Sequence, residues 1–147
     1  MDYQDILNKL PYSEPFLFVD GLLHVDENGV TGHYTYDAAL DFYRGHFVGH
    51  PVTPGVILTE TMAQIGLVCL GIFLLNDEIT SNSLIALTSS EIEFLKPVYP
   101  NEKVTVVSEK LYFRFNKLKC RVSMTDSSGT EVCRGTIAGI INHPTNV

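Results

Sequence analysis

The sequence predicts an α+β domain in which one long central helix is wrapped by a curved antiparallel β-sheet. Three observations carry that expectation. Residues 56–75 are apolar nearly all round, so a helix there must be covered on most of its surface by other structure. Five segments of strand composition follow it, at 84–88, 91–95, 103–113, 118–126 and 132–141, with no helical pattern between them. A hairpin precedes it, and the absence of an alternating strand and helix rhythm argues against a parallel sheet. At 147 residues and 45% hydrophobic content, the chain is expected to form a single domain spanning residues 1–147.

The elements follow in order. Tyr3, Ile6, Leu7 and Leu10 have helical spacing, and Pro11 ends that short leading helix. Residues 16–25 and 30–36 are rich in aromatic and β-branched side chains and flank Asp26-Glu27-Asn28-Gly29, the signature of a hairpin. Residues 37–54 lack a period and contain glycine and proline breaks, which predicts an ordered loop of functional character. Thr53 is expected to cap the next helix through its hydroxyl, with Pro54 in the first turn. Ala63, Gly66 and Gly71 would let other backbone approach the helix closely. Ser127-Ser128-Gly129 marks the last tight turn, and the tail after Asn142 is expected to fray.

Bulk properties exclude several function classes. A net charge of −7 argues against nucleic acid as the main partner, because phosphate binding relies on clustered Lys and Arg. The charge is uneven, since Lys9 and Arg44 are the only basic residues before position 91. Cys69, Cys120 and Cys133 are an odd number without CxxC spacing, which suits a reducing, cytoplasmic setting. The N-terminus starts Met-Asp-Tyr-Gln-Asp and lacks the basic and apolar runs of a signal peptide. The apolar stretch has roughly the ~20 residues of a membrane span, but Thr59, Glu60, Thr61 and Gln64 interrupt its first half, so a buried core helix is expected and no membrane insertion.

The candidate chemistry lies in the run from Gly45 to Gln64. His46 and Glu60 flank a glycine- and proline-rich turn into the apolar helix. An imidazole titrates near pH ~6.5 and can remove the acidic C2 proton of a thioester. A carboxyl on an apolar helix is held neutral by desolvation and can protonate a leaving hydroxyl, the role expected of Glu60. Gln64, one turn further on, is placed to hold that carboxyl. Unpaired N–H groups at Gly55 and Val56, with the helix dipole behind them, suit a developing oxyanion. His50 reads as structural or as support for its neighbours. Gly49, Pro51 and Pro54 prevent His46 and His50 from sharing a helix, and His24, His33 and His143 lack partners at ligand spacing, so no metal is expected. Cys69 reads as a core side chain, and neither a Walker pattern nor GxGxxG is present.

The segments Gly45-His46-Phe47, Gly49-His50-Pro51-Val52, Pro54-Gly55-Val56 and Glu60 to Gln64 resemble those of the hotdog-fold 3-hydroxyacyl-acyl-carrier-protein dehydratases of the FabZ type. Leu10-Pro11, Pro15-Phe16-Leu17 and Val19-Asp20 are similar to that family's N-terminal segment, and Phe94, Lys96-Pro97-Val98 and Pro100 to the segment after its helix. The resemblance implies a hotdog fold and a homodimer whose two sheets join, with a trimer of dimers as a further assembly. It implies shared sites, in which His46 of one subunit faces Glu60 of the other. It also implies dehydration of a substrate carried on the phosphopantetheine arm of acyl carrier protein, with no separate cofactor.

The chain departs from the family pattern at four places. Tyr12-Ser13 stands where a His-Arg pair is usual, Val48 where Pro is usual, and Thr53 and Thr59 where bulkier apolar residues are usual. These leave the acyl chain and the pathway open between fatty acid elongation and a polyketide or polyene route. Two other activities remain compatible with the residues: a hotdog acyl thioesterase in which Glu60 activates water, and a non-catalytic carrier-protein-binding subunit. The basic residues Lys96, Lys103, Lys110, Arg114, Lys117, Lys119, Arg121 and Arg134 are candidates for docking an acidic carrier protein, or a solvated sheet face.

Overall fold

The computed structural model describes residues 1–80 and 83–142. The leading helix α1 (Tyr3–Asn8) starts with a reciprocal cap, in which Asp2 accepts from the Asp5 N–H at 2.8 Å and Asp5 accepts from the Asp2 N–H at 3.3 Å. Ile6 anchors it in the core.

Strands β1 (Gly21–Asp26) and β2 (Gly29–Thr35) form the hairpin, and Asp26 Oδ1 fixes its turn by accepting from the N–H groups of Asn28 (2.7 Å) and Gly29 (3.1 Å). The expectation of a strand from Phe16 needs correction. Pairing with β2 begins only where the Asp20 N–H meets the His33 carbonyl at 2.9 Å, and before that the chain crosses the central helix. The Phe18 N–H is taken by the Gln64 side chain at 2.8 Å, so it is not available to a strand.

The central helix α2 runs Gly55–Leu75 and is α-helical at Gly55–Ala63 and Leu70–Leu75. Between them lies a π-helical stretch, Gln64–Cys69, that local pattern did not reveal. The helix is long and apolar enough to cross a membrane, but it is the buried core of the domain, enclosed by the sheet. Leu58, Met62, Ile65, Leu70 and Ile72 on the helix share one core cluster with Val30, Tyr34, Val104, Val106, Leu118 and Val122 on the sheet. At Gly66 the sheet comes so near that a Cβ would lie 3.0 Å from Val122 Cγ1 and 3.1 Å from Ser108 Cβ. The buried Ser108 hydroxyl is satisfied there, donating to the Gly66 carbonyl at 2.9 Å.

Four strands follow the helix: β3 (Leu84–Phe94), β4 (Lys103–Arg114), β5 (Lys117–Thr125) and β6 (Glu131–Asn142). All pairings are antiparallel, in the order β1-β2-β4-β5-β6-β3. The two strands expected at 84–88 and 91–95 are one, because a bulge between Leu87 and Ser89 carries the polar run without breaking the ladder. β3 lies at the sheet edge and leaves Leu84, Leu87 and Phe94 at 60%, 46% and 51% exposure. Asp126 closes the turn after β5, accepting from Ser128 and Thr130 N–H groups at 3.0 Å each and pairing with Lys96. The three cysteines are free and buried, as a core role for Cys69 requires. His143 and the tail after Asn142 lie outside the described residues.

Candidate active site

A single 3₁₀ turn, Asp41–Arg44, opens the loop that carries His46. The loop is tied at several points. The His46 N–H bonds the Phe42 carbonyl at 3.0 Å, Phe47 and His50 exchange two backbone bonds of 2.9 Å, and the Val52 N–H returns to the His46 carbonyl at 2.9 Å. The His46 ring is bound to the same residue as its backbone, with Nδ1 2.8 Å from the Val52 carbonyl oxygen. A carbonyl only accepts, so Nδ1 carries a proton, and in the neutral ring Nε2 presents the lone pair. The ring also stacks on Phe47, with centroids 4.1 Å apart.

Thr53 corrects the capping expectation. Its hydroxyl lies 2.5 Å from the Tyr43 hydroxyl, and its N–H donates to the Val98 carbonyl at 2.8 Å, so it anchors the loop and Pro54 is the N-cap. The N–H groups of Ile57 and Leu58 both turn back to the Pro54 carbonyl, at 2.9 and 3.1 Å. Those of Gly55 and Val56 have no partner among the described residues, and Val56 is 77% exposed. Gly55 faces the Phe94 ring so closely that a Cβ would sit 3.2 Å from it.

Glu60 is half-buried on the next turn. Its Oε2 accepts from Gln64 Nε2 at 3.0 Å. Gln64 is fully buried and makes two further bonds, accepting from the Phe18 N–H at 2.8 Å and donating to the Phe16 carbonyl at 3.0 Å. The amide therefore holds the carboxyl in place while itself held by the crossing segment. Burial pushes the Glu60 pKa above the ordinary carboxylate value, and the Gln64 bond opposes that shift in part.

Two cavities meet at Glu60 and Leu87. The outer one, about 630 Å³, is a groove lined by Gly55, Val56, Thr59, Leu87 and Phe94. The inner one, about 240 Å³, extends past Ala63, Leu67 and Ile85 to Tyr12. One chain thus brings together Gly55, Val56, Glu60 and Gln64, while His46 lines neither cavity. The His50 ring is exposed and makes no hydrogen bond among the described residues; its backbone alone shapes the loop. Reading the sequence did not place Thr59, Leu87, Phe94 or Tyr12 at the site; Tyr12 reaches it only through the return of the chain after α1. A further groove on the sheet, between Glu91 and Thr136, holds Arg134 paired with Glu131 at 2.9 Å and with Glu93 at 3.3 Å, and Arg121, whose partner Glu109 lies outside the groove. Among the described residues, no three His, Cys, Asp or Glu side chains gather as metal ligands would.

A family model for the FabA-like domain matches residues 10–119, a span that contains Glu60, Gln64 and the helix start. The chain belongs to the FabA-like family. Among its relatives are the enzymes named 3-hydroxyacyl-acyl-carrier-protein dehydratase FabZ. That of Chlamydia trachomatis is 39% identical over 72% of this chain and 70% of the relative. The Thermus thermophilus enzyme is 36% identical over 78% and 79%, and the Acinetobacter baylyi enzyme 34% identical over 74% of each. Among solved structures, the dehydratase heterocomplex ApeI:P of Xenorhabdus doucetiae superposes with a TM-score of 0.78 at 14% identity, covering 96% of this chain and 91% of that one. A thioesterase of Pseudomonas aeruginosa superposes at 0.68 and 13% identity, covering 96% and 94%. These structures share the hotdog fold, and the sequence relatives make this chain a dehydratase of the FabZ type.

Proposed function

We propose that the chain converts a 3-hydroxyacyl thioester carried on acyl carrier protein to the trans-2-enoyl thioester, with His46 as base and Glu60 as acid. The observation that carries this reading is the half-buried Glu60 carboxyl, raised in pKa by burial and held by Gln64 at the junction of two cavities. His46 Nε2 takes the C2 proton, and the electron pair moves onto the thioester oxygen, where the Gly55 and Val56 N–H groups receive the charge. Its return forms the C2–C3 double bond as the C3–O bond breaks, and Glu60 gives its proton to the departing hydroxyl, which leaves as water. His46 then returns the C2 proton to Glu60 through solvent or product water. Proton transfer between two side chains calls for no cofactor beyond the phosphopantetheine arm of the substrate.

His46 is supplied in this reading by a second copy of the chain. The exposed edge of β3 supports that arrangement, since Leu87 and Phe94 both wall the outer groove and a strand added there would complete it. The unpaired thiols support a cytoplasmic setting, and the basic residues of β4 and β5 are the surface offered to an acidic carrier protein.

The test is turnover of a 3-hydroxyacyl carrier-protein thioester, followed by enoyl absorbance, with release of free thiol monitored alongside. His46→Ala and Glu60→Gln each abolish turnover by at least about 100-fold. Co-refolding the two variants restores up to about one quarter of wild-type activity, because half the dimers are mixed and each mixed dimer has one intact site. No restoration would mean that each site is built within one chain, and thiol release without enoyl product would make the chain a thioesterase.

A further inference from the structure

The inner cavity has two polar side chains at its walls. Ala63, Leu67, Val68, Ile85, Ala86, Leu87 and Gly139 line it with Glu60 and Tyr12, the two lining residues whose side chains are polar. Glu60 is bonded to Gln64 and is assigned to the reaction itself. Tyr12 is different. Its hydroxyl makes no hydrogen bond among the described residues, whereas the buried Tyr36 donates to Thr61 Oγ1 at 2.6 Å and Tyr43 meets Thr53 Oγ1 at 2.5 Å. Its ring rests against Phe16, with centroids 6.4 Å apart, and the Phe16 carbonyl is bound by Gln64, so Tyr12 is tied to the same scaffold as Glu60.

We propose that Tyr12 makes the inner cavity a subsite for an acyl chain that carries a hydrogen-bond-accepting oxygen beyond C3. The acceptor is a carbonyl, hydroxyl or ether, and the chemical class is a partly oxygenated chain in place of a plain alkyl one. The inference rests on the dehydratase reading for the position of C3 beside Glu60, and it adds what lies further along the chain. Burial and the nearby Glu60 push the Tyr12 phenol up to about 12, so it remains a donor throughout the working range. At about 30 Å³ for a water-sized group, a cavity of about 240 Å³ admits roughly eight such groups, enough for a tail of medium length. A plain alkyl tail entering it would displace water from the hydroxyl and leave the donor unpaired, a penalty worth about 10- to 100-fold in discrimination. An oxygenated tail replaces that water with a hydrogen bond of its own.

The experiment compares wild type with Tyr12→Phe, which removes one oxygen and keeps the ring. The substrates are matched ten-carbon 3-hydroxyacyl thioesters, one alkyl beyond C3 and others with a carbonyl at C7 or C9. The expected result is a wild-type kcat/KM at least about tenfold higher for one of the oxygenated chains than for the alkyl chain, falling towards unity in Tyr12→Phe. A merely structural role for Tyr12 would lower both substrates alike, and an unchanged ratio overturns the proposal. The same ratio, read calorimetrically from binding of non-hydrolysable thioether analogues, tests Tyr12 without turnover. If wild type fails on 3-hydroxybutyryl thioester while the binding preference is present, the dehydratase reading falls and the Tyr12 subsite stands.

Discussion

Replacing Gln64 with Leu separates the scaffold from the chemistry it supports. Leu is one side-chain atom shorter than Gln and suits a fully buried position, but it can neither accept from the Phe18 N–H nor donate to the Phe16 carbonyl and the Glu60 carboxyl. The Phe18 bond is buried, so its orphaned N–H incurs the full penalty of about 1–3 kcal/mol. The Phe16 bond is only partly buried and water can replace some of it, which keeps its loss near the lower end, about 1 kcal/mol. Together they give about 2–4 kcal/mol, and at about 2–4 °C per kcal/mol for a domain of this size the midpoint falls by about 5–15 °C in a calorimetric scan. Activity changes separately from stability. The Gln64 bond lowers the Glu60 pKa, so its removal raises that pKa further and keeps the acid protonated to higher pH. The alkaline limb of the kcat/KM profile moves up while the maximum drops. A variant that melts within about 1 °C of wild type would refute the accounting of orphaned groups. An alkaline limb moving down would refute the assignment of Glu60 as the acid.

Glu60→Gln has an effect on stability as well as on turnover. Burial makes the folded state bind the Glu60 proton more tightly than the unfolded chain, so the stability associated with it is complete below the ordinary carboxylate pKa of 4.5 and is lost as pH rises through the folded value. Gln cannot ionise, and thermal melts across this window should show Glu60→Gln matching wild type in acid and exceeding it near neutrality; a gap independent of pH would contradict the linkage. Gly66→Ala and Gly71→Ala form a contrasting pair in the same assay. At Gly66 the new methyl meets Val122 Cγ1 and Ser108 Cβ at 3.0 and 3.1 Å, atoms close to their backbones, and overpacking of about 1–3 kcal/mol outweighs the helix propensity gained. At Gly71 the nearest atom is Ile141 Cδ1 at 2.8 Å, the movable end of a side chain, so the outcome is neutral or up to about 1 kcal/mol stabilising.

The parts of the molecule legible in the sequence are those determined by neighbours along the chain. The central helix follows from an apolar stretch that no short element could bury, and Glu60 and Gln64 meet because they are four apart on one helix. The hairpin turn follows from Asp26, whose carboxylate bonds residues two and three positions on. The features that escaped depend on distant partners. Residues 16–20 have the composition of a strand, but the Phe18 N–H is claimed by a side chain 46 positions away. Thr53 has the composition of a cap, and Tyr43 takes its hydroxyl. The polar run Thr88-Ser89-Ser90 reads as a break between strands, and only pairing with β6 makes it a bulge within one. Tyr12 reaches the inner cavity through the fold of the N-terminal segment, which no local pattern records.

The π-helical stretch within α2 sets a phase. One additional residue in a helical turn rotates everything beyond it by about 100° relative to an uninterrupted α-helix. The turns carrying Gly55, Val56 and Glu60 therefore aim at the groove on one angular setting, and the turns from Leu70 to Leu75 seat in the sheet on another. Gln64 opens that stretch, so the offset begins at the side chain that holds the acid. The angular relation between the reactive end and the anchoring end is thus encoded in chain length between them, a quantity that exchange of side chains leaves untouched and that loss of a single residue would reset.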